Sequence, residues 1–298
     1  MERKLLDFVK KEAISLWENE PLSNHTSFRI GGPARWFAMP ETAEQLAALL
    51  SFAAEYDIKR AVIGNGSNLL VPDEGYDGLV IRTPEGQPCW KEDGTVTVLS
   101  GYSMSRLSAE AAKRGLAGLT FAQGIPGTVG GAVVMNAGAY GGEIVQTLVS
   151  SRCATPEGLY TLEGAEHKLS YRHSVYSERP DWVCVEATFR LTPADPAQLA
   201  AEMADYAQRR RDKQPLEWPS AGSTFKRPEG HFAGKLIEDA GLKGFTVGGA
   251  QVSEKHAGFV INKGGATCAD VRSLMEQVSD RVFAQFGVRL EPEVKILK

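Results

Sequence analysis

A chain of 298 residues has room for two or three buried cores, and 43% hydrophobic with 23% charged residues is the make-up of an ordinary globular protein. A formal net charge of −4 gives no general drive toward nucleic acid or an acidic membrane surface. No apolar run approaches the roughly eighteen residues of a membrane span, and the four cysteines (Cys89, Cys153, Cys184, Cys268) lie far apart with no CxxC pair. That spacing suggests neither a disulfide framework nor a zinc site, so reduced thiols in a cytoplasmic protein are the expectation.

The N-terminus, MERKLLDFVKKEA, carries charges at short intervals and lacks the apolar core of a signal peptide. Thr42 and Gln45 form a capping-box pair before Leu46, Leu49, Leu50 and Ala53, which recur at helical spacing. Strands are expected at AVIG (61–64), GLVIRT (78–83) and TVTVLS (95–100). This completes a first part, residues 1–100. A second, 101–195, opens with a helix near 103–114 that Gly115 ends, and closes on WVCVEATFRL (182–191). Period-two alternation puts Val183, Val185, Ala187 and Phe189 on one packed face of that strand. Prolines in PADPAQ mark a boundary, and the third part, 196–298, begins with a helix at 197–212. A short helix at FAGKLIEDAG follows, then strands at FTVGGAQV and HAGFVINKG. A helix over 267–286 carries the stripe Val271, Leu274, Met275, Val278, Val282 and Phe286, with Gly287 closing it. VRLEPEVKIL reads as a terminal strand. The mixed order predicts an α+β protein of more than one domain.

Glycine, 31 residues, exceeds the roughly 7% expected because it clusters. In IGNGSNLLV (63–71) a strand runs into GxG, but Leu69 stands where a dinucleotide turn needs its third glycine. A nest of amides with Ser67 and Asn68 still suits a phosphate. GIPGTVGGAVVMNAGAYGGE (124–143) lacks the GK[ST] of a P-loop. With Pro126 suited to a first helical turn, it serves equally as a tightly packed short helix or a phosphate cradle. Two such clusters about sixty residues apart favour one extended cofactor shared between them.

Ser223 in SAGSTFK has no GxSxG elbow, which argues against a hydrolase nucleophile and leaves a turn serine as the plain reading. The five histidines show no metal-ligand spacing. In LEPEV, alternation sets Glu291 and Glu293 on one face, opposite Leu290 and Val294. Parity does not choose between those carboxylates, and two solvated glutamates fit as well.

Seven segments occur in order: NHTSFRIGGPA (24–34), GNGSN (64–68), GIPGTVGGAVVMNAGAYGGE (124–143), YRHSVY (171–176), SAGSTFKRP (220–228), AGKLIEDAGLKG (233–244) and LEPEV (290–294). Together they closely resemble the UDP-N-acetylenolpyruvoylglucosamine reductase (MurB) family of peptidoglycan synthesis, from about residue 20 to the end. The resemblance implies a two-lobed FAD-binding region of the vanillyl-alcohol-oxidase type, residues 1–100 and 101–195, and a C-terminal substrate domain, 196–298. By match of motif, Gly64, Asn65, Gly66, Ser67, Asn68 and Leu69 would hold non-covalent FAD. So would Gly124, Ile125, Pro126, Gly127, Thr128, Gly130, Gly131, Asn136, Ala137 and Gly138. NADPH would reduce the flavin and leave, and hydride would then pass to the terminal carbon of the enolpyruvyl ether.

Electron density would move toward the substrate carboxylate, which calls for fixed positive charge. The resemblance gives that role to Arg172, with Glu293 assisting, and makes Ser223 the general acid that protonates carbon. Tyr140, Lys213, Arg227 and His256 would contact substrate. Only fifty residues separate Arg172 from Ser223, so the chain is similar to the shorter members that lack a tyrosine-bearing lid insertion. Arg227 stands where the family often has asparagine. The competing readings are an oxygen-using oxidase of the same fold, which would want another third domain, and a nonenzymatic nucleotide-binding module.

Overall fold

The computed structural model describes residues 1–298. The chain forms two compact units, each assembled from separated stretches. The first comprises Met1–Glu18, Trp36–Gly64 and Gly78–Gln208, the second Asn19–Arg35, Asn65–Asp77 and Arg209–Lys298.

An antiparallel sheet of the first unit runs in the order Gly158–Glu163, Leu148–Thr155, Val183–Arg190, Thr95–Leu99, Cys89–Trp90. A second sheet has the order Ser15–Pro21, Pro33–Met39, Tyr76–Arg82, Arg60–Ile63. Its last pair is parallel, Arg60 opposite Leu79. Helix Ala43–Glu55 buries Leu46, Leu49, Leu50 and Ala53 with Leu79 and Ile81. Thr42 accepts the Gln45 N–H, as its sequence position requires. The return bond goes one residue further out than a capping box would send it, because the Gln45 side chain accepts from Glu41 N and donates to Glu12 O.

Helix Glu2–Lys11 is absent from the sequence pattern, since only Leu5 and Val9 reach the core from among its charges. Phe8 adds to the anchor by stacking on Phe52, centroids 4.4 Å apart.

The strand Val183–Arg190 departs from the single packed face that alternation predicts. Arg152 pairs with Glu186 but Cys153 with Cys184, so Val185 is an extra residue in the ladder. A bulge of this kind flips the parity beyond it. Val183 and Val185 therefore enter the core around helix Ala43–Glu55, while Cys184, Ala187 and Phe189 enter the one beneath helix Met104–Lys113.

In the second unit an antiparallel sheet runs Ser220–Ser223, Phe259–Asn262, Ala250–Val252, Thr246–Val247. FTVGGAQV is thus a hairpin, turned at Gly248 (φ +54°). Helix Cys268–Phe286 buries Val271, Leu274, Met275, Val278 and Val282 against Phe28, Ile30 and Leu70. Phe286, expected in that stripe, lies in the last turn before left-handed Gly287 and is 36% exposed. At the helix start the Cys268 and Ala269 N–H groups both donate to the Asp73 carboxylate, at 2.7 and 3.1 Å.

The expected terminal strand shrinks to Lys295–Ile296, parallel to Leu69–Leu70. Pro292 has no N–H to give a ladder, yet the alternation survives: Leu290 and Val294 are buried, Glu291 is exposed and Glu293 half-buried.

Candidate active site

In the first unit, Gly64 follows strand Arg60–Ile63 and lies against the second glycine segment. A Cβ at Gly64 would stand 2.3 Å from Thr128 Oγ1. Only glycine lets the two turns approach so closely. Helix Val129–Val134 starts at Thr128, whose hydroxyl accepts the Gly131 N–H. Pro126 therefore lies ahead of the helix rather than in its first turn, the cap having fixed the start two residues later. Gly130 packs on Ser100, to whose carbonyl it donates at 2.8 Å. The turn before it is held by Gly124 N–H to Ser105 Oγ at 2.9 Å and Ile125 N–H to Ala122 O at 3.0 Å.

The Gly127 carbonyl accepts from Met104, and the Gly66 carbonyl from Ser27 and Leu69. The amides of Gly66, Ser67 and Asn68, and those of Gly127 and Thr128, have no backbone acceptor. Buried Ser100 Oγ and Gln123 Oε1, beside the second segment, have no partner either. Carbonyls spent on protein with amides left over is the arrangement that receives phosphate oxygens, so each segment, taken within its own unit, fits the phosphate chemistry of a cofactor such as FAD.

Past the helix, Ala137 donates to Ala132 O and accepts from Ile144. Gly138–Ala139 pairs with Gly142–Glu143 in a hairpin whose two turn residues, Tyr140 and Gly141, both have positive φ, +52° and +87°. That is the geometry of a tight two-residue turn matched to strand twist. The Tyr140 ring stacks flat on Tyr206, centroids 4.3 Å apart at 3°.

Arg172 sits in a turn closed by reciprocal Ser170–His173 backbone bonds, at φ +54°. Its Nη2 donates to Gly138 O at 3.4 Å, and its guanidinium lies 5.1 Å from the Tyr171 ring centre. Asn136, 1% exposed at φ +39°, donates to Glu143 Oε2 at 3.0 Å and to Ser170 O at 3.1 Å, and accepts the Val145 N–H at 3.0 Å. Ser174 Oγ donates to Val134 O at 2.8 Å. Asn136, Tyr140, Lys168 and Arg172 are four of the eight non-glycine residues with positive φ. Such strain concentrates where surrounding structure over-determines the backbone, typically at functional sites.

In the second unit, Gly66 (φ +59°) rests on the NHTSF segment, where a Cβ would stand 2.2 Å from His25 O. Asn68 Nδ2 donates to the Glu293 carbonyl at 3.1 Å, and the Lys295 N–H to Asn68 O at 3.0 Å. The Glu293 N–H donates to Thr224 O at 2.8 Å, Phe225 bridges Pro292, and Lys226 N–H reaches Glu291 O. Ser223, exposed at the end of its strand beside left-handed Gly222, is thus one residue from a bond to Glu293. GNGSN, SAGSTFK and LEPEV converge here.

His256 packs edge-on to Phe259 at 5.0 Å and accepts the Gly258 N–H at Nδ1. Burial is the main cause that holds its pKa below the ordinary histidine value, with the charges of Lys243 and Lys213 adding to it. Lys213 is exposed at the end of helix Pro196–Lys213, and the Arg227 guanidinium covers Phe232 at 4.6 Å.

Glu143, Tyr206 and Thr224 each contact an expected site residue without having been singled out in the sequence. Only Thr224 had a signal, its place between Ser223 and Phe225. Tyr206 reaches Tyr140 across 66 residues and Glu143 accepts from Asn136, neither of which spacing reveals.

Two family models match the chain: an FAD binding domain at residues 34–162, and the C-terminal domain of UDP-N-acetylenolpyruvoylglucosamine reductase at 214–297. The reductase of that name from Agathobacter rectalis is 50% identical over 95% of this chain and 94% of its own length. The one from Geobacillus kaustophilus is 48% identical over 94% of this chain and 92% of its own. The crystal structure of the enzyme from Thermus caldophilus aligns with TM-score 0.81 at 32% identity, covering 96% of this chain and 99% of that one.

Proposed function

The chain belongs to the UDP-N-acetylenolpyruvoylglucosamine reductase family, and from that premise we propose that it reduces the enolpyruvyl ether of UDP-N-acetylglucosamine to the lactyl ether, UDP-N-acetylmuramate. NADPH is the co-substrate and non-covalent FAD the cofactor, in the cytoplasmic synthesis of peptidoglycan precursors. Bound FAD supplies the hydride that reaches the terminal carbon of the enol ether. The observation that carries the reading is the join of Asn68 to Glu293 and of Glu293 to Thr224, which puts three separate motifs in one place.

The chain's own residues have distinct tasks. Within residues 64–69 and 124–131 the unspent amides, those of Gly66, Ser67, Asn68, Gly127 and Thr128, would hold the pyrophosphate, and 136–138 are assigned to the flavin. Arg172 offers a permanent cation to the substrate carboxylate, where electron density builds as the terminal carbon gains hydride. An arginine fixed in advance stabilises that charge without rearranging during the reaction. Ser223 delivers a proton to the neighbouring carbon, which sets one stereochemistry. Glu293 supports the same charge by hydrogen bonding. Tyr140, Lys213, Arg227 and His256 contact the sugar nucleotide. Residues 1–100 and 101–195 act as the flavin lobes and 196–298 as the substrate part, in the shorter form without a lid.

The test is single-turnover absorbance on the purified protein. A yellow protein bleached by NADPH and recoloured by the enolpyruvyl sugar nucleotide is expected. Rapid NADPH consumption with oxygen alone points instead to an oxidase, and a colourless protein that never consumes NADPH to a binding module.

A further inference from the structure

Resting on the role given to Arg172 above, we propose that Asn136 is the positioning residue of that arginine: it locks the 170–173 turn to the hairpin of Gly138–Ala139 and Gly142–Glu143. An amide can satisfy this environment in one orientation only. The two oxygens facing it, Glu143 Oε2 and Ser170 O, need donors, and the Val145 N–H needs an acceptor. Both Nδ2 hydrogens are thereby spent on protein, so the side chain has no donor left for a cofactor. Its burial, 1% exposed, removes water as a substitute partner.

Three bonds clamp the turn that carries Arg172. Asn136 holds Ser170 O, Ser174 Oγ holds Val134 O, and Arg172 itself reaches Gly138 O. All three run to the stretch Val134–Gly138. Arg172 at φ +54° and Asn136 at φ +39° are both in the left-handed region, which an isolated arginine avoids. The link from Asn136 to Ser170 is the one that fixes the turn upstream of that strained residue. Loss of the bond frees the turn to relax toward ordinary φ, carrying the guanidinium away from its place.

Two variants separate this from a general packing role. Asn136→Gly removes the side chain while keeping a residue at ease with positive φ. Asn136→Asp keeps the acceptor for Val145 but loses both donors. Each is assayed as flavin-loaded enzyme by stopped flow, alone and with Arg172→Ala. We expect reoxidation by the enolpyruvyl sugar nucleotide to slow at least tenfold more than flavin reduction by NADPH does. In the Arg172→Ala background either substitution should slow reoxidation by less than twofold further. Hydrogen exchange in peptides spanning 170–174 should rise at least tenfold in Asn136→Gly, with core peptides unchanged.

Losses that multiply across the cycle while Arg172→Ala alone is crippled overturn the inference and leave the role of Arg172 standing. Equal slowing of both half-reactions, or loss of flavin, also overturns it. Reoxidation of Arg172→Ala at the wild-type rate overturns the role of Arg172 itself, and the inference with it.

Discussion

Asn68 holds the backbone at Glu293 and Lys295: Nδ2 donates to the Glu293 carbonyl at 3.1 Å, and the Asn68 carbonyl receives the Lys295 N–H at 3.0 Å. A glycine-rich turn and the backbone 225 residues later are therefore tied together. Removing one such bond costs about 1 kcal/mol. Asn68→Ala should lose flavin more readily on dilution and also slow substrate-dependent reoxidation in the fraction that stays loaded. Fully loaded Asn68→Ala enzyme with wild-type reoxidation would sink the idea that this contact sets Glu293.

Ser223 is exposed at a strand end, so its loss should leave the fold alone. A general acid contributes typically 10² to 10⁴-fold. Ser223→Ala should turn over slower by about that factor while NADPH bleaches the flavin at the normal rate. Unchanged steady-state turnover removes Ser223 from the proton transfer.

The contact of Gly64 with Thr128 leaves no room for a methyl group, since a Cβ would meet Oγ1 at 2.3 Å and Cγ2 at 3.0 Å. Overpacking of this kind costs about 1–3 kcal/mol. Gly64→Ala should melt several degrees lower and purify with less bound flavin, read as the ratio of visible to 280 nm absorbance. Wild-type flavin content would show that the approach of the two turns is dispensable.

His167 is buried at the end of a directed chain. Its Nδ1 faces the Gly164 carbonyl and must donate, so Nε2 accepts from Ser151 Oγ, which in turn accepts from the Tyr176 hydroxyl. Burial holds the His167 pKa below the ordinary value. The unfolded chain then binds a proton near pH 6.5 that the folded one refuses. Stability from this residue is complete above that pH and falls as pH drops from there to the depressed folded value. The slope is at most about 1.4 kcal/mol per pH unit for one group. His256, lowered also, adds in the same sense. Urea melts at pH 7.5 and 5.5 should show a smaller difference for His167→Asn than for wild type. An equal difference would place the sensitivity elsewhere.

Helices with uninterrupted stripes, such as Ala43–Glu55 and Cys268–Phe286, were legible because burial on one face writes a period into the chain. Helix Glu2–Lys11 was not, since two buried residues write too little. The bulge at Val185 left no mark either: all of Val183–Val185 is apolar, and parity reads the same with or without an extra residue. Among the proposed site residues, the glycine segments stood out through composition, and Arg172, Ser223 and Glu293 only through the company of seven motifs. Asn136 was visible as a residue but not as a junction. Its partners Glu143 and Ser170 are separated from it by 7 and 34 positions, and no local rule connects them.

The Asp73 carboxylate that receives the first N–H groups of helix Cys268–Phe286 bears on how the molecule is made. Phe28, Ile30, Leu70 and Asp73 leave the ribosome long before residues 209–298, the partners that bury them. At about 5–20 residues per second, Asp73 waits roughly ten to forty seconds for its helix. The second unit therefore closes only once residues 209–298 have been made, and its early apolar residues stay without those partners until then.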